Sequence, residues 1–343
     1  MTTGPTLVIQ TAFLGDLVLT TPLLGALAQR HGPVDLVTTP QAAPVLEGHP
    51  ALRRIIPFDK RGRDRGPGGT LRLAGRLRHN GYARAYLPHR SWRSAALALL
   101  ARIPERIGFA DSPARLSYTA RVARDRTAHE TDRLLALAGE TSPPGDPTAG
   151  PVPDLGLSEV EHGAAAEWLA DHGIAGDFVA LAPGSVWGTK RWPEFGGLAA
   201  ALPHPVVVIG GAAERGAARD LVARACAGAV SAAGETPLRI SAAIIERSRV
   251  LVTNDSAPLH LAAAVGTPVV AIFGPTVPAF GFGPRGPHDV IVERSDLACR
   301  PCSPHGPRTC PLGHHHCMKE IPVTEVARAV EQVWRAAPSG RNE

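Results

Sequence analysis

The chain is expected to fold as two doubly wound α/β halves, each built around a parallel sheet. Three observations predict this. Short β-branched or apolar runs alternate with longer runs of helical spacing. A stretch dense in Pro and Gly interrupts the alternation near mid-chain, and the pattern restarts after it. The length of 343 residues suits two domains of roughly 150 residues better than one core.

In the first half, "TLVIQ", "VDLVTT", "LRRIIPF", "YARAYLPH" and "RIGF" read as strands. "LVLTTPLLGALAQR", "LRLAGRLRHN" and "SWRSAALALLARI" carry helical spacing between them. The charged, Gly-rich "DKRGRDRGPGG" (59–69) is expected to be a mobile surface loop. "TSPPGDPTAGPVPD" (141–154) reads as the interdomain linker, giving domains 1–154 and 155–343. The second half runs from the helix "SEVEHGAAAEWLADHG" through "FVALAPG", "WPEFGGLAAAL", "PVVVIGG", "AERGAARDLVARACAG", "RVLVTNDSAPLHLAAAVG" and "PVVAIFGPT". It closes on the helix "VTEVARAVEQVWRAA". Two such halves on a hinge imply a cleft, with ligands beyond the carboxyl ends of the strands.

Composition excludes several classes. No apolar run approaches the roughly 20 residues needed to span a bilayer, and "SAALALLARI" is too short. The start "MTTGPTLVIQ" lacks the basic and apolar regions of a secretion signal, so a cytoplasmic protein is expected. Residues 1–155 carry 20 Lys and Arg against 13 Asp and Glu, a balance of +7; the remainder has 16 against 18, or −2. The basic first half suits an anionic partner or surface, although a well-solvated Arg-rich face would look the same. No dense basic tract or aromatic-interleaved motif points to nucleic acid. Five cysteines in a cytoplasmic chain are expected as thiols.

The turns narrow the chemistry. "TAFLGD" after the first strand has one glycine where a dinucleotide fingerprint needs three, and no G-x-x-x-x-G-K-[ST] loop occurs. Three turns of the second half stand out instead. "APGSVWGTKRWP" offers Ser185, Lys190 and Arg191; "GGAAERG" offers Glu214; "TNDSAPLHLAAA" offers Asn254, Asp255, Ser256 and His260. Helix starts bind phosphate through free N–H groups and the dipole, Lys190 and Arg191 neutralise a diphosphate, and Glu214 can accept from ribose hydroxyls. Each has a plainer reading: Asp255 and Ser256 as N-caps, His260 as a core histidine, Glu214 as a partner of the next helix start. Their coincidence at one sheet edge favours a nucleotide-diphosphate site.

"LVIQTAFLGDLVLTTPLLGAL", "PGSVWGTKRWPEFGGLA", "TNDSAPLHLAAAVGTPVVAIFGPT", "HETDRLLAL" and "CRPCSPHGPRTCPLGHHHCM" together resemble the glycosyltransferase family 9 heptosyltransferases, of the ADP-heptose:lipopolysaccharide heptosyltransferase II type. The likeness runs from Leu7 to about Val330. It implies a GT-B fold: an N-terminal acceptor domain, a C-terminal nucleotide-sugar domain, and inverting transfer between them. It maps the proposed general base onto Asp16, the diphosphate-contacting lysine onto Lys190, and a donor-site motif onto Asp255, Ser256 and His260. Two positions depart from the pattern: Ala257 replaces a usual glycine, and Gln10 stands where relatives often carry a basic residue.

On this reading Asp16 takes the proton of an acceptor hydroxyl, and a capping role for it is compatible. No Asp-x-Asp pair is present to hold a metal, so Lys190, the helix dipole and Arg191 are expected to stabilise the leaving ADP, with no cofactor. Cys299, Cys302, Cys310 and Cys317, spaced C-x2-C-x7-C-x6-C with four histidines nearby, are a candidate structural zinc set matching no standard pattern. The expected donor is ADP-L-glycero-D-manno-heptose and the acceptor a lipopolysaccharide inner core of the Kdo-lipid A type, met at the cytoplasmic face of the inner membrane. Arg61, Arg63 and Arg90 are candidate acceptor contacts by charge and location. Three alternatives stay open: the same fold moving another sugar to another envelope glycan, a nucleotide-sugar epimerase of similar architecture, and a non-catalytic binding module.

Overall fold

A computed structural model describes residues 4–140, 150–225 and 228–337. Most of the stretch read as a linker (141–149) and Cys226 therefore lie outside the described residues. The chain divides into two compact units, Met1–Gly156 and Leu157–Glu343.

The first unit contains β1 (Thr6–Ile9), α1 (Leu14–Leu19), α2 (Thr21–His31), β2 (Val34–Thr38), β3 (Leu52–Pro57), α3 (Gly66–His79), β4 (Arg84–Leu87), α4 (Trp92–Leu100), β5 (Glu105–Phe109), β6 (Ala120–Val122) and α5 (Glu130–Leu135). Its strands form one parallel sheet in the order β3-β2-β1-β4-β5-β6. The second unit contains α6 (Glu159–Asp171), β7 (Val179–Ala182), α7 (Phe195–Ala201), β8 (Val206–Val208), α8 (Arg215–Val222), β9 (Ala229–Ser231), α9 (Leu238–Arg247), β10 (Val250–Asn254), α10 (Ala257–Val265), β11 (Val269–Phe273), β12 (Val290–Glu293), α11 (His316–Lys319) and α12 (Val323–Ala336). Its parallel sheet runs β12-β11-β10-β7-β8-β9. Numbered within its own unit, each sheet has the order 3-2-1-4-5-6 of a dinucleotide-binding fold.

Helices on both faces explain the continuous apolar strands. β1, β2, β7, β10 and β11 are buried along their whole length. The order reverses between β1 and β4 in the first sheet and between β7 and β10 in the second. At those points successive helices leave to opposite faces, so the turns at the carboxyl edge stay uncovered.

One charged residue interrupts this apolar pattern. Asp35 on β2 is fully buried and accepts from Arg53 (2.8 and 2.9 Å), from Arg54 (2.6 Å) and from the Tyr82 hydroxyl. Consecutive strand residues normally point to opposite faces. Here the β2–β3 register slips between Val34 and Asp35, leaving Arg53 as the extra residue of a bulge. Both arginines thereby reach one carboxylate. Burial alone raises the Asp35 carboxyl; hydrogen bonds from Arg53, Tyr82 and Arg54 outweigh it and hold the group below the ordinary carboxylate range.

The stretch 59–69 departs from the expected mobile loop. Asp59 accepts from Gly62 N (2.8 Å) and Arg63 N (3.0 Å), and Asp64 accepts from Asp59 N (3.1 Å), closing a compact turn. α3 then begins at Gly66, with Pro67 in its first turn, where proline is tolerated. Gly69 is buried, and a Cβ there would lie 2.2 Å from the Asp64 carbonyl oxygen. The glycine that suggested looseness is required by close packing. Among the described residues no helix is long and apolar enough to cross a membrane.

Asp35→Ala is expected to destabilise the first unit by about 2 kcal/mol at pH 7. That is below the roughly 3–5 kcal/mol of a wholly buried pair, because both guanidinium groups are half exposed and can turn to water. The folded Asp35 carboxyl titrates below its unfolded value of about 3.9, so its stabilisation is complete above that pH and is lost as pH falls through the folded value. Urea unfolding followed by circular dichroism should therefore show the variant and parent converging below about pH 4.

Candidate active site

The second unit gathers its chemistry where its strand order reverses. Lys190 ends a 3₁₀ turn (Gly188–Lys190) in the segment after β7, and Asp255 directly follows β10. The two are buried, with Lys190 Nζ 2.5 Å from Asp255 Oδ2. Thr276, beyond β11, donates its hydroxyl to the same oxygen at 2.6 Å. Three turns of one sheet edge thus meet at one carboxylate.

The neighbouring predicted residues divide by what their polar atoms do. Asn254 accepts from Trp192 N (3.1 Å) and donates to the Pro183 carbonyl (2.9 Å), clamping both ends of the segment that carries Lys190. Ser256 stands at the N-cap position of α10, but its hydroxyl donates to Gly184 O (3.2 Å) instead of capping. Ser185 Oγ accepts from Trp187 N (3.3 Å), and Arg191 Nε donates to Ser185 O (2.8 Å). Glu214 accepts from Gly211 N at 2.9 Å, and a Cβ on Gly184 would come within 3.1 Å of its side chain. These groups shape the turns around the Lys190–Asp255 pair. Ala257, the departure from the family pattern, opens α10 without a left-handed backbone angle, so no glycine is demanded there.

His260 sits buried one turn into α10, edge-on to Phe282 at 6.3 Å. Burial pulls its imidazole down to about 4, Asp255 opposing and Lys190 adding, so the ring is neutral near pH 7. His305, stacked on Trp187 at 6.3 Å, is lowered by burial and by Lys190. In the sequence it stood out only as one of the four histidines near the cysteines. The Cys-rich segment that carries it packs onto the lysine turn. His315 Nε2 lies 2.7 Å from Thr189 O, the Thr189 hydroxyl donates to Pro307 O, and Arg300 donates to the carbonyls of Gly274 and Thr276.

The same segment carries the four candidate zinc cysteines. Cys299, Cys302, Cys310 and Cys317 are free thiols, and among the described residues no three His, Cys, Asp or Glu are placed to hold a metal ion. The Cys317 thiol is buried and pushed up to about 11, chiefly by burial and then by Cys302.

In the first unit, Asp16 is the third residue of α1, and its Oδ2 accepts from Phe13 N at 3.1 Å. It caps the helix and stands beside the β1/β4 reversal. Gln10 supports this turn from inside, donating to Thr20 Oγ1 at 3.0 Å. The structure adds residues that sequence reasoning missed. Lys60 donates to the Thr11 carbonyl, Thr11 Oγ1 lies 3.5 Å from His89 Nδ1, and Arg93 donates to the Lys60 carbonyl at 2.9 Å. Burial, then Lys60, pushes the His89 imidazole down to about 4; burial, then Arg61 and Arg93, lowers the Lys60 ammonium. His89 follows β4 immediately in "LPHR", a position that becomes telling only once the strand order is known. Of the predicted basic contacts, Arg61 and Arg63 project into solvent, with Arg63 3.7 Å from Asp64. Arg90 is tied to Asp111, through its carbonyl at 3.0 Å and its carboxylate at 3.5 Å.

Paired Rossmann-like sheets, each with polar side chains at its reversal point, are matched by known proteins. Residues 70–315 fit the model of glycosyltransferase family 9 (heptosyltransferase). The chain belongs to that family. A lipopolysaccharide heptosyltransferase 2 from Salmonella typhimurium is 29% identical over 291 residues, spanning 80% of this chain and 84% of its own length. The Escherichia coli protein of the same name is 28% identical over 292 residues, with the same coverage. Among solved structures, a family 9 glycosyltransferase from Veillonella parvula superposes with a TM-score of 0.83 at 24% identity, covering 98% of this chain and 99% of that one. Escherichia coli ADP-heptose lipopolysaccharide heptosyltransferase II gives 0.77 at 24%, covering 97% and 99%. An Escherichia coli heptosyltransferase solved with ADP gives 0.69 at 18%, covering 97% and 99%. These likenesses establish the fold as that of the GT-B glycosyltransferases, and family membership makes the chain a glycosyltransferase, which sets aside the epimerase and binding-module readings.

Lys190→Ala leaves Asp255 buried with Thr276 alone and is expected to lower the stability of the second unit by about 3 kcal/mol. Lys190→Met combined with Asp255→Leu removes both charges and should recover more than half of that loss in guanidinium unfolding.

Proposed function

We propose that the chain transfers heptose from ADP-L-glycero-D-manno-heptose to a lipopolysaccharide inner core, with inversion and without a metal. Family membership and the lipopolysaccharide heptosyltransferases among its relatives support the donor and acceptor class. The observation that carries the reading is the buried Lys190–Asp255 pair at the β7/β10 reversal.

A lysine ammonium has three N–H donors. One lies on Asp255, leaving two for phosphate oxygens of the donor. Asp255 and Thr276 hold the ammonium in place before the donor arrives, so little reorganisation accompanies leaving-group departure. Ser185, Arg191, Asn254 and Ser256 keep the turn in shape, and Glu214 stands beside Gly184 for ribose hydroxyls. His260 stays neutral and adds a hydrogen-bonding wall without a second charge.

The first unit supplies the base and the acceptor contacts. The acceptor hydroxyl oxygen attacks the anomeric carbon, its proton passes to the Asp16 carboxylate, and ADP departs with the electrons of the broken bond. Lys190 meets the charge that develops on the diphosphate. Capping and catalysis use different lone pairs of Asp16, since one oxygen accepts from Phe13 N. Lys60, with Arg61, Arg63 and Arg90, offers the carboxylates and phosphates of a Kdo-lipid A acceptor a basic approach, with His89 beside it as a neutral hydrogen-bonding group. The protein would work as a peripheral enzyme at the cytoplasmic face of the inner membrane.

The test is ADP release from ADP-heptose and Kdo2-lipid A carrying one heptose, in EDTA. Asp16→Asn keeps an oxygen for Phe13 N, so it separates capping from base catalysis. It should lower kcat by roughly 10²–10⁴ while donor binding persists. Lys190→Ala should lower kcat by roughly 10²–10³. Full turnover in Asp16→Asn would refute the base, loss of turnover in EDTA would refute metal independence, and ADP binding without transfer would point to another sugar or acceptor.

A further inference from the structure

α4 is apolar on both faces. Ala95, Leu97 and Ala98 pack into the core of the first unit. On the opposite side, Trp92, Ala96, Leu99 and Leu100 follow helical spacing i, i+4, i+7, i+8. Ala96 is half-buried, while Trp92 is 63% exposed, Leu99 50% and Leu100 45%. A helix with two apolar faces meets a second apolar phase as well as its own core. Its neighbours extend the patch. α3 and the 3₁₀ turn Arg115–Ser117 both pack against α4, and they carry exposed Leu71 (56%) and Leu116 (78%).

Basic charge dominates around this patch, and the acidic groups beside it are already faced by arginines, Asp64 by Arg72 at 3.8 Å and Asp111 by Arg90 at 3.5 Å. Residues 65–104 contain eight arginines and neither Asp nor Glu. Arg65, Arg72, Arg76, Arg78 and Arg102 among them are exposed. Arginines flanking a Trp- and Leu-bearing helix fit the interface of a bilayer with anionic headgroups, where the indole sits at headgroup depth and the leucines reach the acyl boundary. Trp92 opens α4 just beyond the carboxyl end of β4, the edge that carries His89 and Asp16, so such contact would bring a lipid-borne acceptor to that edge.

We propose that the outer face of α4, with Leu71 and Leu116 beside it, is the surface by which the protein lies on an anionic bilayer. The inference rests on the reading above that the acceptor is lipid-linked, and its test needs no turnover. Purified full-length protein is floated with vesicles of phosphatidylethanolamine and phosphatidylglycerol or of phosphatidylcholine alone. The parent should bind the anionic vesicles at least about tenfold more strongly than the neutral ones, with severalfold weakening as salt rises from about 0.1 to 0.5 M. Trp92→Ser with Leu99→Ser should lower binding at least about tenfold, because two anchoring side chains are lost. Both sites are exposed, so the thermal midpoint should hold, and Leu99→Ser with Leu100→Ser provides a second variant away from the sheet edge. Equal flotation of parent and variants, or no flotation of the parent, overturns the proposal. So does sedimentation of the parent as a dimer that the variants dissociate, which would make the face a contact between copies. Turnover on a deacylated, water-soluble acceptor should be unchanged in the variants; absence of turnover in parent and variants alike would count against the proposed reaction and leave the vesicle result standing.

Discussion

An ammonium beside a carboxylate in a largely dehydrated pocket is the interaction on which the second unit's site depends. Withdrawing either charge from water alone is unfavourable by several kcal/mol, so neither Lys190 nor Asp255 tolerates burial without the other. The surrounding hydrogen bonds make that mutual dependence geometric. Asn254 joins Pro183 to Trp192 across the segment that presents Lys190, and Thr276 fixes the Asp255 oxygen that Lys190 needs. The Cys-rich segment closes over the same turn through Thr189 and His315. Burial lowers both His260 and His305 beside this pair.

Topology decides where such a pair can exist. Both sheets are parallel, so every strand ends at the same edge, and the covering helices start there. Where the order reverses, the helices diverge and turn residues remain uncovered on a rigid base. Asp16 with His89, and Lys190 with Asp255, occupy the two reversal points of two sheets with the same order. At the opposite edge of the first sheet, Asp35 ties β2 to two arginines of β3 and to Tyr82, just before β4. The unit thus fixes its amino edge with a buried charge and leaves its carboxyl edge open.

Strands and helices were legible because burial on both faces leaves unbroken apolar runs between periodic helices. Asp16, Lys190 and Asp255 were legible because each stands in a turn whose neighbours are uncharged or ordered as a motif. Other features were not. Lys60 and His89 come together only through strand order, which local sequence does not encode. Asn254 looks like a ligand-facing amide in "TNDS", and local sequence does not reveal that it also joins the backbone of Pro183 and Trp192, with one hydrogen bond to each. "DKRGRDRGPGG" has a loop's composition, but Asp59 and Asp64 close it and Gly69 admits the close approach that packs it. Cysteine spacing alone does not reveal that Cys317 is buried in the core of the second unit.

The two carboxyl edges differ in how their charge is balanced, and this difference bears on the proposed division of labour. In the second unit Lys190 has its counter-charge within the fold, so a diphosphate shares an already neutralised cation and must displace little. In the first unit Lys60 is crowded by Arg61 and Arg93 and lies near a His89 held neutral by burial and by that same lysine. The lowered Lys60 ammonium shows that this crowding and burial disfavour its charge. An anion placed there would offset the repulsion from Arg61 and Arg93 and favour the charged form. A neutral-paired site suits a donor whose charge must be released after transfer as ADP; an under-compensated basic site suits an acceptor whose own charges contribute to its capture.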